Sequence, residues 1–281
     1  MSGTLYICGT PIGNLKDITF RQLETLKEAD FIACEDTRQT LKLLNHYDIK
    51  NRLISYHEHN IKQKGPELIG LLKEGNNIAL VTDAGMPGIS DPGGDLIRLC
   101  HEEGIKVTAA PGPTAVITAL VLSGLDSSKY VFYGFLPKDK KEQKMILERL
   151  ATEYMTSVFY EAPHRLLKTL KLFREYIGDD RRISTVRELT KLHEEILCLK
   201  IHEAIEYFSH NEPRGEFVLI VEGIGLEGLD SLKIEEAESM TIEEHMEKYM
   251  AQGIDKKEAM KLVAKDRGVS KSEIYNRIMK K

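Results

Sequence analysis

Several short stretches of this 281-residue chain combine acids, histidines and an arginine at spacings that could do chemistry. Glu35-Asp36-Thr37-Arg38 sets two carboxylates and a guanidinium within four residues, a grouping suited to orienting a hydroxyl or gripping a phosphate. The alternative for Asp36 or Thr37 is a helix N-cap, which uses the same side-chain types. Arg38 would sit in the first helical turn, where a positive charge opposes the dipole, so a ligand explains it better than helix stability does. Tyr56-His57-Glu58-His59-Asn60 places His57 and His59 two apart, on one face if the segment is extended. No further His, Cys or Asp cluster lies nearby and HExxH is absent, so substrate contact is expected here and no metal.

Glycine and proline dominate three more stretches. Gly9-Thr10-Pro11-Ile12-Gly13-Asn14 has its glycines spaced GxxxG. That matches neither the dinucleotide fingerprint nor the phosphate loop, and leaves a tight structural turn and a ligand loop equally open. Residues 82–93, TDAGMPGISDPG, describe a long, stiff loop, a kind usually functional, in which Asp83 could accept hydrogen bonds from a hydroxyl or amine. Ala110-Pro111-Gly112-Pro113-Thr114-Ala115 is another rigid turn.

Each of these stretches follows an apolar run short enough to be a strand. The runs at 5–9, 31–34, 53–55, 78–82 and 107–109 alternate with helical spacing over 20–29, 37–47, 67–74, 96–103 and 114–122, a βαβα rhythm that predicts a parallel sheet covered by helices. All five strand ends therefore carry loops of special chemistry, at the carboxyl edge where open α/β sheets bind ligands. Ser123-Gly124-Leu125 breaks the pattern, and a second set follows: strands at 131–134, 157–160, 183–186, 195–199 and 217–222, helices at 143–150, 165–176 and 203–208. The expected division is an α/β domain over 1–124, a second over 125–224, an acidic linker over 225–239 and a helical module over 240–281.

That last module holds three short helices, opened by Thr241 with Glu244, Asp255 with Glu258 and Ser270 with Glu273, and Gly253 and Gly268 fall at C-cap positions. The final helix follows a three-residue turn, a helix-turn-helix-like layout, and its polar face, Lys271, Tyr275, Asn276, Arg277 and Lys280, suits phosphates and base edges. A plain three-helix packing unit is the competing reading. Net charge is −5 overall, but residues 240–281 carry ten Lys/Arg against seven Asp/Glu, +3, leaving −8 on the rest. Basic charge is thus concentrated where nucleic acid would bind. Cys8, Cys34, Cys100 and Cys198 form no CxxC pair and are expected as reduced core residues. No apolar run approaches a membrane span and no export segment is visible, so a cytoplasmic protein is expected.

The ordered set GTPIGN, EDTR, HEHN, VTDAGMPGISDPG and AAPGPTA, followed by YEAPHR, ELTKLHEE and PRGEFVLIVEG, resembles the tetrapyrrole methylase superfamily, in particular its branch acting on small-subunit ribosomal RNA. The resemblance spans essentially the whole body. It implies two α/β domains with S-adenosylmethionine in the cleft between them, a homodimer, and methyl transfer to a cytidine 2′-hydroxyl in the decoding centre of 16S rRNA. It further implies a cofactor neighbourhood of Pro11, Asp83, Ala84, Gly85, Met86, Ile89, Ser90, Pro113, Thr114, Ala115, Tyr160, Ala162, Leu189, Gly215 and Glu216. The basic C-terminal module fits the same picture.

A ribose hydroxyl is a poor nucleophile while protonated, so such a reaction needs positioning and a general base. The candidates are Asp36, His57, Glu161 and Lys191. His57 titrates nearest neutrality, Lys191 would need a depressed pKa, and Glu161 has a competing role as a cap of the helix beginning near Pro163. Arg38 and His59, with the C-terminal residues above, are the expected RNA contacts. Two other functions compete: C-methylation of a tetrapyrrole precursor, which leaves the tail without a purpose, and a non-enzymatic nucleic-acid-binding regulator, which leaves the strand-end loops without one.

Overall fold

The computed structural model describes residues 2–279, so the Lys280 expectation lies outside the described residues. The first half alternates strands β1 (Thr4–Cys8), β2 (Phe31–Cys34), β3 (Leu53–Ser55), β4 (Ile78–Val81) and β5 (Lys106–Ala110) with helices α1 (Phe20–Glu28), α2 (Thr37–His46), α3 (Ile61–Lys73), α4 (Gly93–Glu102) and α5 (Ala115–Leu122). Its sheet has order β3-β2-β4-β1-β5 and every pairing is parallel. Both faces are covered, so the central strand β4 is apolar throughout: Ile78 and Leu80 face one core, Ala79 and Val81 the other. Chain direction across the sheet reverses between β4 and β1, and at their carboxyl ends lies the crevice where doubly wound sheets hold ligands.

The second half comprises β6 (Tyr130–Phe135), α6 (Lys140–Thr152), β7 (Thr156–Glu161), α7 (Pro163–Ile177), β8 (Arg182–Arg187), β9 (Glu195–Lys200), α8 (Ile201–His210) and β10 (Phe217–Val221). Its sheet, β6-β7-β10-β8-β9, corrects the expectation of parallel strands: only β6 and β7 run parallel, and β10 is antiparallel to both neighbours. For β8 and β9, which also pair antiparallel, the reason is connection length. Seven residues, 188–194, join β8 to β9, fewer than the dozen or so a parallel crossover requires. One face of this sheet packs on α6, α7 and α8 through Phe159, Phe173, Ile183 and Leu219. The other receives Val116, Ala119 and Leu120 of α5 against Val158, Val186, Val218 and Ile220. Expected as a covering helix of the first domain, α5 therefore clasps the second.

Two further expectations change. Helix α3 begins at Ile61, before Gly65-Pro66, which reads locally as a breaker; Gly65 lets α3 lie close to Leu99 on α4, whose Cδ1 stands 3.0 Å from where a Cβ would be. Residues 225–239 form not a linker but a helix, α9 (Gly225–Ser239), which contacts the later helix over Lys256–Asp266 and buries Ala237. The acids mask it because they leave no apolar stripe, yet Glu, Leu, Lys and Ala are good helix formers. Cys198 is exposed, unlike the other three cysteines, because β9 is an edge strand.

At the C-terminus α10 (Ile242–Met250), α11 (Lys256–Asp266) and α12 (Lys271–Met279) enclose Met246, Met260, Val263 and Ile274. Thr241/Glu244 and Ser270/Glu273 form reciprocal capping boxes, whereas Asp255 only accepts from the Lys257 and Glu258 N–H groups. Gly253 and Gly268 adopt φ of +85° and +62°, as left-handed helix ends demand.

Candidate active site

A cavity of about 730 Å³ opens between the two sheets, within the size range of small-molecule sites. One wall is built from the β1, β4 and β5 loops. Thr10 and Gly85 exchange backbone hydrogen bonds of 2.9 and 3.0 Å, and the Thr10 hydroxyl donates to the Thr82 carbonyl at 3.1 Å. Buried Gln22 clamps the other side, donating to the Gly9 carbonyl at 2.6 Å, and a Cβ on Gly112 would meet its Nε2 at 2.0 Å. Gly13 lies against Leu189, Thr190 and Lys191, where a Cβ would come within 2.5 Å of Lys191. The GxxxG spacing is thus structural: one glycine packs against the glutamine clamp, the other against the opposite half. Asp91 braces the long loop, accepting from the Gly88 and Gly93 N–H groups at 2.9 and 2.8 Å.

The opposite wall comes from the second sheet. Gly134, at φ +67°, sits beside a register shift between Phe132 and Gly134, and Phe132 and Phe135 both reach the cavity around Tyr160. Sequence reasoning missed both phenylalanines; a glycine inside a strand-like run was the available signal of a bulge that re-aims side chains. Beneath them Glu188 and Thr190 hold positive φ of 50° and 65°, strained values for residues with side chains. The Glu188 carboxylate accepts from the Glu216 N–H at 3.0 Å and lies over Gly215.

Most of the implied cofactor residues converge on this cavity: Ala84, Gly85, Met86, Ile89, Ser90, Thr114, Ala115, Tyr160, Ala162, Leu189 and Glu216 all line it. Pro11, Asp83, Pro113 and Gly215 do not; they belong to the same loops, next to residues that do. The candidate bases separate further. Glu161 lines the cavity but is 2% exposed, accepting from the Ala162 N–H at 2.8 Å and the Thr169 hydroxyl at 2.5 Å, with Arg165 at 3.5 Å. With both oxygens engaged it braces β7 against α7. Lys191 lines the cavity with Nζ 2.9 Å from Glu188 and 2.8 Å from Glu216. Burial alone would lower its pKa, but the two carboxylates outweigh that and hold it above the ordinary lysine value, the opposite of what a base requires.

Asp36 and His57 lie off the cavity lining. Asp36 caps α2 through the Arg38 N–H and holds the Arg38 guanidinium at 2.8 Å; these contacts pull its carboxyl down to about 2. Arg38, expected to need a ligand, thus has a protein partner, though its side chain stays exposed. Asp83 accepts from the Asp36 N–H at 3.2 Å, and desolvation raises its pKa. His57 is fixed by Asn60, 3.3 Å from its Nε2, with the His59 ring 6.0 Å away. The acid that does line the cavity from this edge is Glu35, which the sequence reading grouped with its neighbours without assigning a role. In the C-terminal module Tyr275, Asn276 and Arg277 are exposed and Lys271 partly so, on a face well away in sequence from the cavity loops. Among the described residues no group of three or more His, Cys, Asp or Glu could hold a metal ion.

Known proteins match both halves. The fold resembles a uroporphyrin-III C-methyltransferase from Thermus thermophilus, at TM-score 0.56 and 19% identity over 78% of this chain and 94% of that one. It equally resembles a cobalt precorrin-4 methyltransferase of cobalamin biosynthesis, at TM-score 0.57 and 19% identity, with the same coverage. At the sequence level, proteins named ribosomal RNA small subunit methyltransferase I are closer. That of Halalkalibacterium halodurans is 51% identical over 98% of this chain and 94% of its own length, and that of Bacillus subtilis 48% over 98% and 93%. The Thermotoga maritima protein of that name is 49% identical over 79% of this chain and 99% of its own length. The family described as Tetrapyrrole (Corrin/Porphyrin) Methylases matches residues 4–205, which contain the first sheet and most of the second, and the chain belongs to that family.

Proposed function

We infer that the protein transfers a methyl group from S-adenosylmethionine to the 2′-hydroxyl of a cytidine in the decoding centre of 16S rRNA. The observation that carries this reading is the 43–51% identity, along nearly the whole chain, to proteins named for methylation of small-subunit ribosomal RNA. The cavity fits the cofactor in size and lining. Small residues Ala84, Gly85 and Ala115 leave room for a ligand against backbone, and the Phe132, Phe135 and Tyr160 rings offer an apolar surface for an adenine. When bound, S-adenosylmethionine supplies an already activated methyl group, so the chain must position the acceptor hydroxyl and receive its proton.

In this reading Ala84 to Met86, Ile89, Ser90, Thr114, Ala115, Tyr160, Ala162, Leu189 and Glu216 hold the cofactor, with Pro11, Asp83, Pro113 and Gly215 shaping the loops behind them. Arg38, His59 and the polar face of α12 contact RNA. A homodimer belongs to the same reading. Helix α5 has no polar face, and Ile117, Val121 and Leu122 stay exposed, as do Tyr130 and Phe135 on the edge strand β6. Ile117, Tyr130 and Phe135 also line the cavity, so a second copy seated there would cover its rim. The location is cytoplasmic, where ribosomal subunits are; among the described residues no helix is long and apolar enough to cross a membrane.

The test is methyl transfer from labelled cofactor to isolated small ribosomal subunits, with the product identified by nucleoside mass spectrometry. The expected product is a single ribose-methylated cytidine. Transfer to a porphyrin precursor and not to subunits would overturn the assignment.

A further inference from the structure

We propose that Glu35 is the general base of the reaction, taking the proton of the acceptor hydroxyl as the methyl group moves. The proposal rests on the ribose methyltransferase reading and deepens it. Glu35 is the first residue beyond β2, and β2 pairs with β4 through Cys34 and Val81, so its side chain emerges at the carboxyl edge between the β2 and β4 loops. It lines the cavity and is half-buried. The Thr82 hydroxyl donates to its Oε2 at 2.9 Å, which fixes the carboxylate while Oε1 has no donor among the described residues.

Four carboxylates line the cavity: Glu35, Asp91, Glu161 and Glu216. Both oxygens of Asp91 hold backbone N–H groups of its own loop. Glu161 has Arg165 beside it and Glu216 has Lys191. Among these four described carboxylates Glu35 alone has neither a cation nor a full set of donors, so its second oxygen is open to a substrate hydroxyl. The charged groups around it are Asp36 and Arg38 at the start of α2, Asp83 beyond β4, and, around the rest of the cavity, Asp91, Glu161, Lys191 and Glu216. Asp36 and Arg38 pair with each other, and Lys191 bridges Glu188 and Glu216.

In the step itself Glu35 accepts the hydroxyl proton while the ribose oxygen bonds to the methyl carbon and the carbon–sulfur bond breaks. The bonding pair stays on sulfur, leaving a neutral thioether, and Glu35 then releases the proton to solvent. Charge and atoms balance with no other reactant.

The experiment compares native protein, Glu35→Gln, Glu35→Asp and Thr82→Val on isolated small subunits, recording kcat against pH and, separately, cofactor affinity by calorimetry. The expected result is a loss of about 100-fold or more in kcat for Glu35→Gln, the lower range for removal of a general base, with cofactor affinity within about twofold. The native acid limb disappears in that variant, and Glu35→Asp recovers part of the rate. Thr82→Val, which removes a hydrogen bond favouring the charged carboxylate, moves the acid limb to higher pH and serves if Glu35→Gln fails to fold. A Glu35→Gln rate within about threefold of native, or an acid limb that persists in Glu35→Gln or stays fixed in Thr82→Val, overturns the proposal alone. Absence of ribose methylation by the native protein overturns the functional reading and this proposal with it.

Discussion

Individual residues at this site are best understood by what already holds them. Asp36, Glu161 and Lys191 are the right chemical types for proton transfer, yet each is spent on another protein group: a cap and a guanidinium, a helix brace, a pair of carboxylates. Only distances reveal this, since the partners of Glu161 and Lys191 include residues 8 and 25 positions away. Gly215 shows the same dependence from the opposite side. Its φ is +80°, and a Cβ there would stand 2.4 Å from the Glu188 carboxylate, which anchors both Lys191 and the Glu216 N–H. Gly215→Ala should therefore cost roughly 1–3 kcal/mol of stability, lowering Tm by about 2–4 °C for each kcal/mol, and weaken cofactor binding. Calorimetric unfolding and a cofactor titration read both. An alanine variant matching native protein in each would show that the loop accommodates a side chain.

At the scale of elements, strands and caps were legible because their signals are local. Strand β2 spans the predicted 31–34, and Thr241 and Ser270 open their helices by the expected capping boxes. The misread elements, α3, α9 and the antiparallel β10, depend on partners: α4 against Gly65, α11 against α9, and the neighbours flanking β10. A buried histidine gives the C-terminal helices a pH dependence. His245 receives the Arg267 Nε–H at 3.4 Å on Nδ1, leaving its Nε2 to donate toward Asp266 at 3.4 Å, a neutral tautomer. Burial is the chief reason its pKa falls below 6.5 in the folded chain, with Asp266 opposing. Below the ordinary value the unfolded state takes up a proton that the folded state resists, so the stabilisation present above about pH 6.5 is lost as pH falls through the native pKa. Amide hydrogen exchange in α10 to α12 should accelerate between pH 7.5 and 5.5 once corrected for intrinsic rates, and His245→Gln should remove most of that dependence. Equal corrected protection at both pH values would contradict the assignment.

For the molecule as a whole, the proposed function gives two surfaces to partners. Removing residues 240–281 should raise KM for small subunits by about tenfold or more at physiological salt, and lower its salt dependence, while cofactor affinity stays unchanged. Complete loss of activity is not expected, because every residue lining the cavity precedes residue 240. An unchanged KM would remove the RNA-reading role from the tail. On the second surface Val121, 69% exposed on α5, is the position at which a charge disturbs association most and the cavity least. Val121→Glu should convert a dimer to a monomer in light scattering and lower activity by opening the rim of the cleft; a native protein that is monomeric at micromolar concentration would refute the dimer.

Sequence alone determined the first sheet, the loops at its strand ends and the family. Short-range periodicity, turn residues and ordered motifs carry that information within a few positions of one another. Tertiary structure decided which of those loop residues share a cavity, that α5 covers the other half's sheet, and that the phenylalanines freed by the Gly134 bulge form its wall. It also decided which acid keeps a free oxygen. Glu35 and Asp36 are adjacent in the chain and alike in type, but one meets a threonine hydroxyl 47 residues away and the other an arginine two residues away. What a carboxylate is free to contact depends on those surroundings, and surroundings exist only once the chain is folded.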